Sequence, residues 1–545
     1  MNGAEYVVRT LRERGVERVF ALCGNGLAPF LEACGKLRMP VVDTRNEQAA
    51  AYMADAWGRL TGRLGVVAVS AGPGHTNALT GLTNSWWDGG PLLLISGQSE
   101  TSTRGLDHFQ ELDQVAMASP VCKYAARVDD VTALPSALDQ AVTQALTSRP
   151  GPAHLTIPED VFRAEVAVPP APTPAPAVRV APSGRAPVAD IRAAAEMLAE
   201  AERPFLIVGS GAFYAGAWPA LRTLAEVTGI PIVSHIWDRG CIEERIPQYV
   251  GVTNDELNGA MAMLAQADVV LTVGARLDYR VAFGRPPGLS AAAQVIRVEA
   301  DPREAARGRP VDLRLVGNPA AVLEVLGREA AARGGWANGE WLAAVRRSHE
   351  ALKAEFAQLC QGDECPLPGL RICQEIQPFL EREVTFLIDG GNIGRWAHLW
   401  LFDRHPSHWF TCGASGVVGW GVPGAAAARL ARPDHPVLLL SGDGSAGFTF
   451  TDVETALRFG TPYVMVVAHD GAWGIVADAQ DPACRVASEL GEVRFDRLAQ
   501  ALGARGVLVE RAADLAPAIE EGLARDTVTV IQVPTVLGGL PAYRR

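Results

Sequence analysis

The sequence predicts an α/β protein made of three domains, each a doubly wound parallel sheet. The chain has 545 residues, which is too many for one ordinary hydrophobic core. Hydrophobic residues make up 48% of it and charged residues 20%, so it buries large cores. Short β-rich runs such as RVFAL, PFLIVGS and PVLLLSGD alternate with Ala- and Leu-rich helical stretches in each third of the chain. In such sheets, ligands bind beyond the carboxyl ends of the strands.

Two breaks divide the chain into these domains. Residues 166–188 are rich in Pro and Ala and cannot sustain a helix or a central strand, so we expect an extended linker. Between residues 334 and 368, a polar helical stretch is followed by QGDECPLPG. We therefore expect domains at residues 1–165, 185–330 and 365–545, each of ordinary size. The first and third look like two versions of one architecture.

Charge and composition argue against several classes of protein. The formal net charge of −12 argues against a nucleic-acid partner, which requires a basic surface. No signal-peptide-like stretch opens the sequence and no run of about 18 apolar residues occurs in it, so we expect a cytoplasmic protein without membrane contact. The nine cysteines are scattered and form no C-x-x-C pair, which predicts reduced core residues rather than zinc ligands or disulfides.

Two acidic turns in the third domain follow apolar runs. They are SGDGSAG at residues 441–447, which we expect to precede a helix TDVETALRF, and AHDGAWG at residues 468–474. A helix and its return strand would bring the two turns to neighbouring strand ends. Mg²⁺ prefers carboxylate, carbonyl and phosphate oxygens, so Asp443, Asp470 and the carbonyl of Ala472 form a candidate metal site. The alternative is an ordinary strand-to-helix connection.

At these residues the chain resembles the thiamine-diphosphate enzymes of the acetolactate synthase, benzaldehyde lyase and 2-hydroxyacyl-CoA lyase group. Their signature is GDG followed, after a spacer, by an Asn pair whose second member binds the metal. Gly442-Asp443-Gly444 matches the first part, whereas His469-Asp470 replaces the Asn pair. The resemblance implies the thiamine-diphosphate-binding fold, with pyrimidine, central and diphosphate domains, and the cofactors thiamine diphosphate and Mg²⁺.

The resemblance also implies cofactor contacts in the third domain. They fall in IDGGNIG, in CGASGVVGWGVPG and around the two acidic turns. Val418 stands where the family has a bulky hydrophobe that bends the cofactor into a V shape. A tightly packed Gly/Ala helix entry is the alternative for the second segment. The implied cofactor-binding residues are Gly391, Asn392, Ala414, Ser415, Val418, Gly442, Gly444, Ser445, Trp473 and Gly474.

The first domain contains a candidate catalytic acid in VVDTRNEQAAAYMADAWGR. The pattern predicts a strand, a turn capped by Asn46, and a helix with Glu47 in its first turn. From the residues alone, Glu47 is an acid favoured by the helix dipole. The resemblance implies more, because the family's Glu at this position contacts N1′ of the aminopyrimidine and relays the proton that activates the cofactor.

Two further segments of the first domain match the family. SAGPGHTNALTG places Pro73 and Asn77 in the loop that covers the pyrimidine, and the Phe-Gln pair at Phe109 and Gln110 puts Gln110, a second candidate catalytic residue, near the substrate hydroxyl. A surface helix is the alternative for Gln110 alone. Because Glu47 and the diphosphate site lie in different domains, the resemblance implies a homodimer or homotetramer with active sites at the subunit interface.

The resemblance implies a lyase or carboligase acting on a small-molecule substrate. Such an enzyme forms an enamine (acyl-anion) intermediate from a 2-hydroxyacyl donor, with or without CoA, or from a 2-oxo acid by decarboxylation. An acetolactate synthase acting on pyruvate and a non-catalytic family member are the alternatives. Some relatives bind FAD or ADP in the central domain, but VGSGA is too short a glycine signal to support a nucleotide here. Gly26 stands where benzaldehyde lyase has a catalytic His.

Overall fold

The computed structural model describes residues 1–167, 184, 186–336, 338–363, 365–401 and 409–538. These residues form three parallel six-stranded sheets with helices between the strands, which confirms the predicted α/β class. Most of the predicted linker, and the predicted domain limits at residues 185 and 545, lie outside the described residues. Where one domain ends and the next begins remains a prediction.

The first sheet has the strand order β2-β1-β3-β4-β6-β5. Its strands are β1 (Val19–Ala21), β2 (Val41–Asp43), β3 (Gly65–Val69), β4 (Leu92–Gln98), β5 (Tyr124–Arg127) and β6 (Pro152–Pro158). Its helices are α1 (Gly3–Glu13), α2 (Ala28–Lys36), α3 (Glu47–Thr61), α4 (Pro73–Asp88), α5 (Gln114–Ala118), α6 (Leu134–Leu146) and α7 (Glu159–Arg163). Buried Val, Leu and Ala residues fill its strands, as expected for a parallel sheet that is covered on both faces.

The second sheet has the order β12-β11-β10-β7-β8-β9. Its strands are β7 (Pro204–Val208), β8 (Ile232–Ser234), β9 (Tyr249–Val252), β10 (Val269–Val273), β11 (Gln294–Glu299) and β12 (Leu313–Val316). Its helices are α8 (Val188–Glu200), α9 (Ser210–Tyr214), α10 (Trp218–Thr228), α11 (Ala260–Leu264), α12 (Pro302–Ala305), α13 (Pro319–Ala332) and α14 (Gly339–Phe356). Counted from its own first strand, this is the doubly wound order 3-2-1-4-5-6 read from the other edge. The polar helix α14 packs on this sheet, since Trp341 donates a hydrogen bond to the Pro204 carbonyl.

The third sheet has the order β14-β13-β15-β16-β18-β17, which repeats the order of the first sheet strand for strand. Its strands are β13 (Thr385–Asp389), β14 (Trp409–Thr411), β15 (Val437–Gly442), β16 (Val464–His469), β17 (Arg505–Leu508) and β18 (Thr529–Pro534). Its helices are α15 (Gly369–Ile376), α16 (Gly391–Trp400), α17 (Gly421–Ala431), α18 (Asp443–Thr449), α19 (Val453–Arg458), α20 (Gly474–Ala479), α21 (Phe495–Ala501) and α22 (Ala512–Leu523). The expected likeness of the first and third domains is therefore a likeness of topology.

The first acidic turn of the third domain differs from the prediction. Strand β15 ends at Gly442 and helix α18 begins at Asp443 itself, so no free turn separates them. The predicted helix TDVETALRF starts only at Val453, after a short 3₁₀ segment. Gly444 and Ser445 are tolerated in the first turn of α18, where the backbone N–H groups need no partner within the helix. Turn propensity therefore misplaced the start of the helix.

A buried polar cluster joins the three sheets. Arg59 of α3 is fully buried, donates to Asp88 of α4, and lies 3.6 Å from Asp55. The same guanidinium donates to the Thr411 carbonyl of the third sheet, at 2.7 Å. Ser210, which follows β7 of the second sheet, donates to Asp88 at 2.9 Å. These bonds fix the three sheets relative to one another, because the buried polar groups bond to each other where they would otherwise bond to water.

Among residues 1–167, 186–336, 338–363, 365–401 and 409–538, no helix combines the length and the apolar character needed to span a bilayer.

Candidate active site

Three neighbouring strands of the third sheet end at one cleft. β13, β15 and β16 lie side by side and lead into α16, α18 and α20 through short connections. Their carboxyl ends enclose a cleft of about 190 Å³. Eleven of the residues predicted for metal and cofactor line it: Gly391, Asn392, Val418, Gly442, Asp443, Gly444, Ser445, Asp470, Ala472, Trp473 and Gly474.

Asp443 is buried at the base of this cleft with both oxygens partly occupied. Oδ1 accepts a hydrogen bond from the Gly444 amide at 2.8 Å, and Oδ2 accepts one from the Gly471 amide at 2.8 Å. His469 Nε2 lies 3.7 Å from Oδ2. Burial raises the pKa of the Asp443 carboxyl, while the Gly471 amide and His469 oppose the rise. A bound cation would stabilise the ionised form, because each oxygen keeps a lone pair free for it.

Asp470 faces the same space from the end of β16. Its Oδ1 accepts a hydrogen bond from the Ala472 amide at 3.1 Å. Burial, and next the charge of Asp443, raise the pKa of Asp470 to about 7. Within the described part of the chain, no three His, Cys, Asp or Glu side chains gather as a metal cluster. Two carboxylates beside room for phosphate oxygens suit Mg²⁺, which keeps few protein ligands, and do not suit a transition metal held by side chains alone.

Glycines let the side chains of the cleft approach one another. A Cβ on Gly474 would lie 2.7 Å from both Asn392 Nδ2 and Asp470 Oδ2. A Cβ on Gly444 would lie 2.7 Å from the Trp473 ring. Any larger residue at either position would therefore displace a group that lines the cleft.

Asn392 has one satisfied and one unsatisfied polar atom. Its Nδ2 donates to Asp478 Oδ2 at 2.9 Å, whereas its buried Oδ1 has no partner among the described residues. A buried orphan acceptor in a cleft indicates that a donor or cation belongs there. Asp478 was missed from the sequence. Its signal was its position on α20, one helical turn after Gly474, which places both on one face.

A second cleft, of about 630 Å³, adjoins the first. Gly391, Val418 and Ile475 line both clefts, so Val418 stands at their junction. The Val418 carbonyl accepts a hydrogen bond from the Tyr52 hydroxyl of α3 at 3.2 Å, which holds this junction against the first sheet. The far wall of the second cleft comes from the second sheet. Its residues there are Trp237, Asn254, Glu256 and Leu257, none of which belongs to a sequence motif.

Ala414 and Ser415 line neither cleft. The Ala414 carbonyl accepts a hydrogen bond from the Tyr279 hydroxyl at 3.1 Å. Ser415 Oγ donates to Asn84 Oδ1 of α4 at 2.6 Å. The loop that carries them is thus held by contacts with the first and second sheets, and a cofactor role for these two residues remains a proposal.

In the first sheet, Glu47 is the first residue of α3, as predicted. Asn46 caps the helix by accepting a hydrogen bond from the Ala49 amide at 2.7 Å. Asn77 Nδ2 donates to Glu47 Oε2 at 3.0 Å, and a Cβ on Gly74 would lie 3.2 Å from Glu47 Oε1. Pro73 opens α4 beside them and is exposed. These residues therefore form one half-exposed patch.

Gln110 lies in a turn rather than on a helix, so the surface-helix alternative is wrong for it. Its backbone adopts a left-handed conformation with φ of +62°. A Cβ on Gly72 would lie 2.7 Å from the Gln110 carbonyl oxygen, which shows how closely the turn packs above the start of α4. Gln110 Oε1 is buried and has no partner in the described structure, whereas the neighbouring Phe109 is 69% exposed. Left-handed non-glycine residues are costly and often mark functional sites.

The first-sheet patch is separate from both clefts. Glu47, Pro73, Asn77 and Gln110 are absent from the described residues that line either cleft. Gly26, at the benzaldehyde lyase histidine position, packs on backbone, since a Cβ there would lie 2.5 Å from the Gln98 amide nitrogen. No catalytic side chain fits at Gly26 without a backbone shift.

The glycines of VGSGA in the second sheet are explained by packing. A Cβ on Gly209 would lie 2.5 Å from the Gly274 carbonyl oxygen. A Cβ on Gly211 would lie 2.7 Å from the Gly274 Cα. The close approach joins two backbone segments, so these glycines are accounted for without a nucleotide.

Comparison with known families gives three matches along the chain. Residues 1–117 match the thiamine pyrophosphate enzyme N-terminal TPP binding domain. Residues 191–326 match the central domain of the same enzymes, and residues 389–533 match their C-terminal TPP binding domain. Each match falls on one of the three sheets.

Curated relatives resemble the chain over nearly its full length. The acetolactate synthase large subunit of Mycobacterium tuberculosis is 31% identical, covering 98% of this chain and 96% of the relative. The 2-hydroxyacyl-CoA lyase 2 of Homo sapiens is 30% identical, covering 94% of this chain and 85% of the relative. A probable acetolactate synthase large subunit of Methanococcus aeolicus is 27% identical, covering 96% and 90%.

Proposed function

Because the chain belongs to the thiamine pyrophosphate enzyme family, we propose that it is a Mg²⁺-dependent lyase or carboligase. Its donor is a 2-hydroxyacyl compound or a 2-oxo acid, and it breaks or forms the C–C bond beside the donor carbonyl. The observation that carries this proposal is the meeting of Asp443, Asp470 and Ala472 in one glycine-lined cleft. When bound, thiamine diphosphate supplies a nucleophilic carbon that accommodates the charge of the broken bond.

The third sheet holds the metal and the diphosphate in this proposal. Asp443, Asp470 and the Ala472 carbonyl would hold Mg²⁺, and the Asn392 amide oxygen, which lacks a partner among the described residues, lines the same cleft. Val418, where the two clefts join, would support the cofactor's rings. The residues that would surround the diphosphate are Gly391, Gly442, Gly444, Ser445, Trp473 and Gly474.

The first sheet supplies proton transfer. Glu47 would be the residue that exchanges a proton with the bound cofactor, and the hydrogen bond from Asn77 keeps Oε2 in place while Oε1 faces Gly74. Gln110 Oε1, which is buried without a partner, accepts a hydrogen bond from the substrate hydroxyl. Glu47 would thus transfer a proton, and Gln110 would orient the substrate.

Glu47 serves the cleft of a second copy, so the protein is a homodimer or homotetramer. Support comes from two exposed apolar sets, since large apolar patches mark interaction surfaces. Leu106, Phe109 and Met117 are exposed on the Glu47 side. Ile475, Val476 and Val486 are exposed on the third sheet, and Ile475 lines both clefts.

The donor has two candidate classes, and the relatives support both. The name acetolactate synthase belongs to a relative at 31% identity, and 2-hydroxyacyl-CoA lyase to one at 30%. We therefore propose a decarboxylating carboligase acting on pyruvate as the second candidate function. A cytoplasmic location and the tetramer are also proposals.

Cofactor titration tests the proposed function. Thiamine diphosphate added to the apoprotein with Mg²⁺ should quench tryptophan fluorescence, because Trp473 lines the cleft. The same titration with a chelator is the control for metal dependence. Incubation of the holoenzyme with pyruvate, or with a 2-hydroxyacyl-CoA, and mass analysis of the products then separates the two donor classes. Absence of Mg²⁺-dependent binding would refute the proposal.

A further inference from the structure

One arginine faces the second cleft from the helix that begins at the diphosphate site. Arg395 lies on α16, one turn after Gly391 and Asn392, and lines the 630 Å³ space. Its side chain is 22% exposed and is paired with Glu256 of the second sheet. Among the described lining residues, the charged groups are Arg395, Glu256 and Asp478. His398 is neutral there, because burial lowers its pKa to about 3.

We propose that Arg395 binds an anionic oxygen group of the substrate, a carboxylate or a phosphate ester. Glu256 then pairs with the Arg395 guanidinium only while no anion is bound there. The inference deepens the proposed function and rests on it, since it names the class of substrate that the second cleft accepts.

The position of Arg395 supports recognition of substrate rather than of cofactor. Four residues of helix separate it from Gly391, a rise of about 6 Å. It lines the second cleft and is absent from the described lining of the first, whereas Val418 and Ile475 line both. A group bound at Arg395 therefore lies beside the first cleft. A small substrate that enters through the second cleft could contact both.

The chemistry of the walls favours an anionic oxygen group. A guanidinium presents paired N–H donors that match carboxylate and phosphate geometry. Ile388, Leu257 and Val417 line the same space with apolar surface. Charge-assisted hydrogen bonds strengthen where apolar walls exclude water.

The balance of charge explains the role of Glu256. The Asp478 carboxylate accepts the hydrogen bond from Asn392 and repels an entering anion. With Glu256 in place, two acids face one arginine in this cleft. An anion is accepted only if it replaces Glu256. That exchange is cheap, because the Glu256 side chain is 46% exposed and water stabilises it once released.

Binding of simple probes to the holoenzyme tests the inference. Oxamate is the carboxylate probe, methyl phosphate is the phosphate probe, and oxamide is the neutral match for oxamate. Trp237 lines the cleft and reports binding by its fluorescence. We expect oxamate or methyl phosphate to bind at least about 10-fold more tightly than oxamide, as charge-assisted pairs do. Whichever anion binds more tightly identifies the group that the substrate carries.

Two opposite substitutions distinguish recognition from a structural ion pair. Arg395→Gln should weaken binding of the anion by about 10-fold or more, and Arg395→Lys should restore part of it. Glu256→Gln should tighten binding several-fold, roughly the effect of removing a competing carboxylate. Arg328→Gln, at an exposed position on α13, is the matched control and should bind like the wild type. Equal anion affinity in Arg395→Gln, or weaker binding in Glu256→Gln, would overturn the inference.

Cofactor affinity separates this inference from the proposed function. Both variants should bind thiamine diphosphate and Mg²⁺ as the wild type does, because neither residue lines the first cleft. A wild-type protein that binds cofactor but shows equal affinity for oxamate, methyl phosphate and oxamide refutes the role of Arg395 alone. A wild-type protein that binds no cofactor refutes the proposed function.

Discussion

The first and third sheets share one strand order and differ at the edge where ligands would bind. In the third sheet, β13, β15 and β16 end at an open cleft. In the first sheet, the corresponding strands β1, β3 and β4 end at an edge closed by backbone, because Gly26 packs on Gln98 and Gly72 packs on Gln110. The same topology thus gives a cavity in the third sheet and a filled, outward-facing patch in the first.

Connection length accounts for this difference. In the third sheet, β15 continues directly into α18, and only residues 470–473 separate β16 from α20. In the first sheet, residues 99–113 separate β4 from α5 and include the turn that carries Gln110. The longer connection folds back over the strand ends. A short connection leaves the edge bare for a ligand, and a long one covers it.

Replacement of Glu47 tests whether the patch on the first sheet has a chemical role, and it should have the largest effect. Glu47→Gln should lower kcat about 10²–10⁴-fold, because proton transfer is lost while the shape is kept. Cofactor affinity, measured by fluorescence, should change little. Glu13→Gln, an exposed acid at the end of α1, is the control. Unchanged kcat in Glu47→Gln would show that the patch has no chemical role.

Replacement of the buried acid on the third sheet should act on binding instead. Asp443→Asn should weaken Mg²⁺-dependent cofactor binding about 100-fold, since even outer-shell changes at metal sites cost 10–100-fold. The measurement is cofactor titration at fixed Mg²⁺. Asp514→Asn, at an exposed position on α22, is the control. Cofactor affinity equal to that of the wild type would remove Asp443 from the metal site.

Mixing the two defective chains asks whether the two halves come from different copies. If Glu47 serves a neighbouring cleft, mixed dimers of Glu47→Gln and Asp443→Asn chains regain one intact site. Random pairing of a C₂ dimer then restores about a quarter of wild-type activity. Each variant alone, treated in the same way, is the control. No recovery after exchange of subunits would place Glu47 and Asp443 of the same chain in one site.

Acid should destabilise the first sheet through its buried histidines. Burial lowers the pKa of His75 to about 4, and His75 lies against His154 with ring centroids 4.7 Å apart and ring planes tilted by 50°. The unfolded chain binds more protons than the folded one between about pH 4 and 6.5, so stability falls as pH falls through that range. His75→Gln should reduce this loss by on the order of 2 kcal/mol. Protease cleavage within residues 1–167, followed over a range of pH, measures this loss of stability. His108→Gln, at an exposed position, is the control. The same acid sensitivity in His75→Gln as in the wild type would contradict the prediction.

The departure from the family signature should have the smallest effect. Asp470→Asn keeps the oxygen that faces the cleft and removes one negative charge beside Asp443. Mg²⁺-dependent activity should therefore be kept or improved, with a change of less than about 10-fold. Activity over a range of Mg²⁺ concentrations is the measurement. A large loss would give Asp470 a role that the charge balance does not predict.

Sequence reasoning reached the parts of the site that local patterns encode. Asp443 and Asp470 follow the buried strands β15 and β16, and Glu47 follows the short strand β2, each within one strand-to-helix unit that is recognisable from sequence. Trp237 and Glu256 were not predicted, because they meet the third sheet only where separate parts of the chain pack together. The start of α18 was misplaced because glycine indicates a turn, although a first helical turn also accepts it.

Helix α3 gives the molecule a mechanical property. It begins at Glu47 and, about 18 Å further along the helix, reaches Arg59, which donates a hydrogen bond to the Thr411 carbonyl at the wall of the second cleft. The two ends are mechanically linked, because Arg59 is fully buried and bonds both to Asp88 of α4 and to the Thr411 carbonyl of the third sheet. A tilt of α3 at Glu47 would therefore shift the wall of the second cleft, so a single helix would couple the proposed proton-transfer residue to the proposed substrate space.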